Sequence, residues 1–297
     1  MCLGILVLAT RFDWHKAIAL SLSLRTTSKE LPLACVAAPD VICKLEGYYE
    51  TLIPERCDIK GFEHKLYLDE YSPFQNTLFL DADMLSFKDV RQITESWRGC
   101  AYMARGRVLS GGISAFGLDR IAQLERIGVS HFSEIGGAGH AYFEKPGCFK
   151  VFHRAREIGN NYHEIAPGAS LADEDVLGIT MTEQGILPAR DKQVVGFLGG
   201  VNRSTLSLDV LKPRCTYIDQ ENDVIEPALL HFPRRMTPLL YHSLMKEICD
   251  HHRAPINIPW RRLAIQEWFQ HSLLFDVKQR LKAFRFKEIT CPIVENK

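Results

Sequence analysis

No stretch of this chain approaches the roughly 20 apolar residues of a membrane span, there is no surplus of charge of either sign, and there is no internal repeat. The 36 basic and 36 acidic residues cancel, so the global positive field that nucleic-acid binding relies on is missing. Met1 to Ala9 is apolar but has no basic flank and is too short for a signal anchor. Nine cysteines (2, 35, 43, 57, 100, 148, 215, 249, 291) are odd in number, scattered and free of any C-x-x-C pair. That usage supports neither a disulfide framework nor a zinc site, and predicts a reducing, cytoplasmic setting. No G-x-G-x-x-G follows the first predicted strand, which disfavours a dinucleotide fold, and the glycine-rich segment Ser133–Pro146 lacks the ending of a P-loop.

What remains is an ordinary globular composition, 46% apolar and 24% charged over 297 residues, with enough length for a substantial core. No linker rich in glycine, serine or charge interrupts it. The expected partition is one main domain over residues 1–254 and a helical extension over 255–297.

Leu3–Ala9 is continuously apolar and reads as a buried parallel strand. A helix over His15–Leu24 and a second strand over Pro32–Ala38 complete a βαβ unit, which implies a parallel sheet and an α/β fold. Further helices are expected at Gly61–Tyr71, Phe87–Trp97, Asp119–Gly128, Cys148–Gly159, Leu171–Glu183, Pro238–His252 and from Trp260 to about Phe284. Strands are expected at Leu78–Leu80, Cys100–Ala104, Leu109–Phe116, Val194–Leu198 and Cys215–Ile218, and Ser133–Pro146 reads as a loop entering a short strand, Ala141–Glu144.

The chemistry concentrates where Leu78-Phe79-Leu80 ends in Asp81-Ala82-Asp83. Side chains alternate along a strand, so the two carboxylates project to one side. The carboxyl ends of strands are where open α/β sheets bind ligands. Two oxygen ligands there suit Mn²⁺ or Mg²⁺ bridging to a diphosphate; the plainer reading is a turn with solvated carboxylates. His231, after the apolar Leu229-Leu230, is either a third ligand or a satisfied structural histidine. Lys65, Arg234 and Arg235 either neutralise phosphate or are simply solvated. The acids that open the helix at Asp173-Glu174-Asp175 either serve the reacting centre or complement the helix dipole.

The block His64-Lys65-Leu66, Tyr71-Ser72 and Leu78-Phe79-Leu80-Asp81-Ala82-Asp83-Met84-Leu85 resembles the core of GT-A glycosyltransferases, especially the glycogenin-like family 8 of retaining enzymes. The resemblance spans roughly residues 3 to 235, with its specific part at 65–85. It implies a Rossmann-like, mainly parallel mixed sheet flanked by helices, and transfer of a sugar from a nucleoside diphosphate sugar, a UDP-sugar, to a glycan, lipid-linked or protein acceptor. It puts Ala9 and Thr10 (with Asp40 beside them) at the nucleotide, and Lys65, Asp81 and Ala82 at the donor. It puts Gly111 and Gly112 near the donor sugar, Asp173 or Glu174 near the reacting centre, and a metal on Asp81, Asp83 and His231. The sequence departs from the family where Pro233-Arg234-Arg235 replaces the glycine and lysine that grip the diphosphate, and where Leu109-Ser110-Gly111-Gly112 replaces an Asn-containing strand.

Two competing enzymatic and non-enzymatic readings stay on the table. A sugar-nucleotide pyrophosphorylase shares the sheet but needs a glycine-rich loop with Arg and Lys after strand one, which Thr10-Arg11-Phe12-Asp13 does not offer. A non-catalytic relative that binds sugar or protein would lose the metal ligands, which are present. Residues 260–287 carry seven basic residues, two acidic ones and six aromatics. Such a helix either packs its aromatics on the catalytic domain or lies in a membrane interface as a peripheral contact.

Overall fold

The apolar run Leu3–Ala9 forms β1, in the middle of a six-stranded sheet. The computed structural model describes residues 3–136, 139–198, 201, 203–233, 238–255 and 257–269. β2 (Leu33–Ala37) pairs with β1 in parallel, and β3 (Thr51–Pro54) pairs with β2 in the same sense. On the other side of β1 lies β4 (Asn76–Asp81), also parallel, with Leu8 opposite Asp81. Past Ala82 and Asp83 the chain resumes as β5 (Met84–Ser86), followed by β6 (Tyr102–Met103), β7 (Gly106–Leu109), β8 (Phe132–Ile135) and β9 (His140–Glu144). β9 runs antiparallel to β4 and carries β6 on its far side, giving the order β3-β2-β1-β4-β9-β6. From β1 the strand order proceeds one way to β2 and β3 and the other way to β4. The crevice at the carboxyl ends of β1 and β4 is therefore a topological switch point.

A second sheet joins β5 to β10 (Val195–Phe197) and β14 (Leu229–His231), with β14 between them. β11 (Ser207–Asp209), β12 (Arg214–Ile218) and β13 (Val224–Ile225) form an antiparallel meander, and β7 pairs with β8. The helices of this part of the chain are α1 (Trp14–Thr27), α2 (Leu68–Tyr71), α3 (Arg91–Glu95), α4 (Arg120–Ile127), α5 (Cys148–Asn160), α6 (Tyr162–Ile165) and α7 (Asp173–Glu183). α5 buries Cys148, Val151, Phe152, Ala155 and Ile158, a three-and-four spacing that makes one apolar stripe. Its Phe152 meets Phe143 of β9 edge-on at 5.1 Å between ring centres.

The chain divides into two compact units, Met1–His231 and Phe232–Lys297. Within the second, α8 (Pro238–His251) packs on α9 (Trp260–Glu267), and Phe232 stacks on Tyr241 at 4.5 Å. The helix expected to reach Phe284 is described only as far as residue 269, so most of its basic and aromatic residues lie outside the described residues. Among the described residues no helix is long and apolar enough to cross a membrane.

Several expected elements are corrected. The strand anticipated at Leu109–Phe116 lies upstream, at Gly106–Leu109. It ends in a loop because Gly112 and Gly117 take φ near 94° and 95°, a left-handed region closed to an extended ladder. Ser133–Pro146 is no simple loop, since its start belongs to β8, whose Phe132 and Ile135 are buried on the core. The helix expected over Phe87–Trp97 shrinks to Arg91–Glu95, and Gly61–Tyr67 is a tight 3₁₀ turn preceding the α-helical Leu68–Tyr71. β3 and β5 were not anticipated, as four and three residues are too few to display a period.

α7 approaches β8 closely at Gly178. A Cβ there would lie 2.9 Å from the Ser133 carbonyl oxygen and 3.1 Å from the Phe132 ring. Ala in place of Gly normally favours a helix by about 1 kcal/mol, but here the backbone must give way. Gly178→Ala is expected to destabilise the protein by about 1–3 kcal/mol. Urea denaturation checks this, and a raised midpoint would contradict the packing.

Candidate active site

The pairing of β5 with β14 decides the site. His231 stands opposite Met84, next in sequence to Asp83, and its Nε2 lies 3.1 Å from an Asp83 carboxylate oxygen. Ligand atoms of Asp81, Asp83 and His231 all fall within 4.8 Å of one another. Two carboxylates and one imidazole so placed match the donor set of a divalent cation such as Mn²⁺ or Mg²⁺.

Charge explains how these groups coexist. Lys65, supplied by the 3₁₀ turn Gly61–Tyr67, places its ammonium 2.9 Å from Asp81 and 3.0 Å from Asp173, the first residue of α7. Burial acts to lower the Lys65 value, and the Asp173 and Asp81 carboxylates overcome it, so the ammonium is held charged. Burial raises the Asp81 carboxyl against the pull of Lys65, and the neighbouring Asp83 charge adds to the rise. Asp83 goes the other way. Burial opposes ionisation, but His231, with smaller help from Lys16 and Lys65, brings its carboxyl down to about 2. His231 is raised in turn, because Asp83 outweighs the burial of the ring. A histidine drawn toward the protonated form reports a negative potential, which equally favours a bound cation.

The strand beside Asp81 is β9, and it completes the pocket from behind. The Asp81 N–H donates to the Gly139 carbonyl at 2.6 Å. A Cβ on Gly139 would stand 3.2 to 3.4 Å from three atoms of the His231 ring, so glycine leaves room for the imidazole. His140, next in sequence, is neutral: burial lowers it to about 3, and its Nε2 accepts the Arg105 backbone N–H at 3.1 Å.

Of the other residues expected here, Ala9 ends β1 and Ala82 is buried between the two carboxylates. Thr10 donates its hydroxyl to Asp13 at 2.6 Å, and Asp40, past the end of β2, pairs with Arg11 at 2.7 Å. Gly111 and Gly112 sit in the loop after β7 and not on the expected strand Leu109–Phe116. Arg234 and Arg235 lie outside the described residues. The two acids at the head of α7 part company: Asp173 is buried on Lys65, while Glu174 lines a cavity of about 810 Å³. Sequence reasoning missed Gly139, although the run Gly136–Gly139 before an apolar strand carried the signal. It also missed Lys16, fully buried 3.4 Å from Asp13.

The paired charges set a pH dependence in the metal-free protein. Asp83, held near 2, contributes stability above the ordinary carboxylate value of 3.8 and loses it as pH falls toward 2. His231, raised above 6.5, contributes below 6.5 and loses its share as pH rises through the raised value. The pair therefore stabilises most between about pH 4 and 6.5. His231→Gln should flatten the alkaline side of a stability–pH curve measured by urea unfolding; an unchanged alkaline side would count against the pairing.

No family model and no curated protein sequence matches the chain. Solved structures do. The galactosyltransferase LgtC with donor and acceptor sugar analogues is 14% identical, covers 87% of this chain and 99% of its own, and has a TM-score of 0.54. The apo glycosyltransferase GlyE of Streptococcus pneumoniae TIGR4 is also 14% identical, covering 91% of this chain and 63% of that one at a TM-score of 0.54. For the bifunctional glycosyltransferase WbbM the identity is 11% and the TM-score 0.56, over 91% of this chain and about half, 52%, of that one. At such identities what is shared is the backbone arrangement: this chain has the GT-A fold, a mainly parallel mixed sheet flanked by helices, as the D-x-D block led one to expect.

Proposed function

We propose that this protein is a metal-dependent glycosyltransferase that moves a sugar from a UDP-sugar to a glycan, lipid-linked or protein acceptor, with retention of configuration. The observation that carries the reading is the convergence of Asp81, Asp83 and His231 at the switch-point crevice of a GT-A sheet. Mn²⁺ or Mg²⁺ held by these three residues would supply positive charge to the departing diphosphate as a Lewis acid.

The chain's own residues do the remainder. Lys65 adds a fixed cation beside Asp81, already oriented by Asp173, so little reorganisation is needed as charge builds on the leaving group. Asp173 keeps that ammonium in place and is a positioning residue. Glu174 presents a carboxylate to the cavity where an acceptor hydroxyl would sit, and orients it on the leaving-group side of the sugar. Ala9, Thr10 and Asp40 border the nucleotide at the ends of β1 and β2, and Ala82 sits between the metal-binding carboxylates.

Mn²⁺-dependent release of UDP from a panel of UDP-sugars tests the reading. Folded protein that binds and hydrolyses none of them would overturn it. Asp83→Asn is expected to abolish metal-dependent UDP binding in calorimetry while leaving the thermal transition cooperative. Lys65→Met should lower kcat by roughly 10²–10³-fold, the usual loss when one preorganised charge is removed, and Glu174→Gln should lower kcat with UDP affinity intact. A Glu174 variant with unchanged kcat would remove that residue from the reaction.

A further inference from the structure

The cavity that Glu174 lines holds about 810 Å³ and has a wall of mixed charge. Its other landmark is Phe197, whose ring lies 5.9 Å from that of His231, so the cavity adjoins the metal-binding cluster. Most of the wall charges neutralise one another. Arg107 donates to Glu134 at 2.9 Å, and Arg120 pairs with the same carboxylate. Lys192 is taken up by Asp219 at 2.7 Å, by Asp223 at 2.8 Å and by Glu221.

Two guanidinium groups are left over. Neither Arg105 nor Arg190 has a carboxylate within ion-pair distance among the described residues. Arg105 is half-buried and its backbone is tightly held. Its N–H donates to His140 Nε2 at 3.1 Å, and its carbonyl accepts the Gly136 N–H at 2.9 Å. Burial lowers its value from the usual arginine range, against smaller opposing contributions led by Tyr217 and Asp191. A partly desolvated guanidinium with no carboxylate at ion-pair distance is matched by a planar oxyanion that takes two of its N–H groups at once. Arg190 comes from the segment that bridges to Arg105, since Ala189 accepts the Gly106 N–H at 2.8 Å, and it lines the same cavity.

We propose, resting on the glycosyl-transfer reading above, that this cavity receives a charged saccharide and binds its carboxylate or phosphate through Arg105 and Arg190. The oxyanion belongs either to the acceptor or to the transferred sugar. The test is calorimetry on the full chain in Mn²⁺ with two pairs of probes. For the acceptor, methyl glucuronide and glucose 6-phosphate are compared with methyl glucoside, with and without UDP; for the donor, UDP-glucuronate is compared with UDP-glucose. In one of these comparisons the charged member should bind roughly 10- to 100-fold more tightly, and which comparison it is names the source. Arg105→Met should erase that preference and Arg105→Lys keep part of it, both with UDP affinity unchanged, which shows the variants folded. Equal affinity for charged and neutral members, no binding of the charged sugars, or a preference that survives Arg105→Met would overturn the proposal. Failure of UDP to bind would instead count against the glycosyl-transfer reading, and Arg105-dependent binding of the charged sugars without UDP would still support this one.

Discussion

Three carboxylates that must sit together at the carboxyl end of β4 are the constraint on which the rest of the first unit depends. Asp81, Asp83 and Asp173 come from the end of β4, the turn after it and the head of α7. Like charges about 4 Å apart in a partly dry site repel by about 4 kcal/mol at an effective dielectric of 20. The ammonium of Lys65, 2.9 and 3.0 Å from two of them, is what makes the arrangement tolerable. It also pins α7 to β4, so the helix that carries Glu174 is located by the same charge that steadies the Asp81 carboxylate.

The third carboxylate is answered by His231, and that answer is a matter of strand register. β5 leaves the main sheet directly after Asp83 and pairs antiparallel with β14, which sets His231 opposite Met84. A slip of one residue would turn the imidazole to the other face of its strand. Behind it, Gly139 provides the gap the ring occupies and lends its carbonyl to Asp81. Two sheets and a glycine thus converge on one imidazole, and Phe197 beside it lines the charged cavity.

Much of this was legible in the chain. β1 runs over the predicted Leu3–Ala9, and α5 and α7 lie where apolar spacing put them, because long buried runs and amphipathic stripes repeat often enough to be read. Elements of three or four residues were not legible. β5 is three residues long, yet it is the strand that recruits the histidine. The pair Gly111-Gly112 was expected on a strand and lies in the loop after β7, and the glycine beside the His231 ring is Gly139. Glycine marks permissive backbone without saying which strand it faces.

By itself the sequence determined which chemistry was available: acids one residue apart at a strand end, a lysine upstream, a histidine closing an apolar run, and a net charge of zero. Those are local properties of residue type and spacing. Only the tertiary structure decided that Asp173 holds Lys65 while Glu174 meets the cavity, that His231 faces Asp83, and that Arg105 has no carboxylate partner among the described residues. Such pairings join residues far apart in the chain. They follow from sheet order and register, and a charge acquires its partner only when the fold brings one within a few ångströms of it.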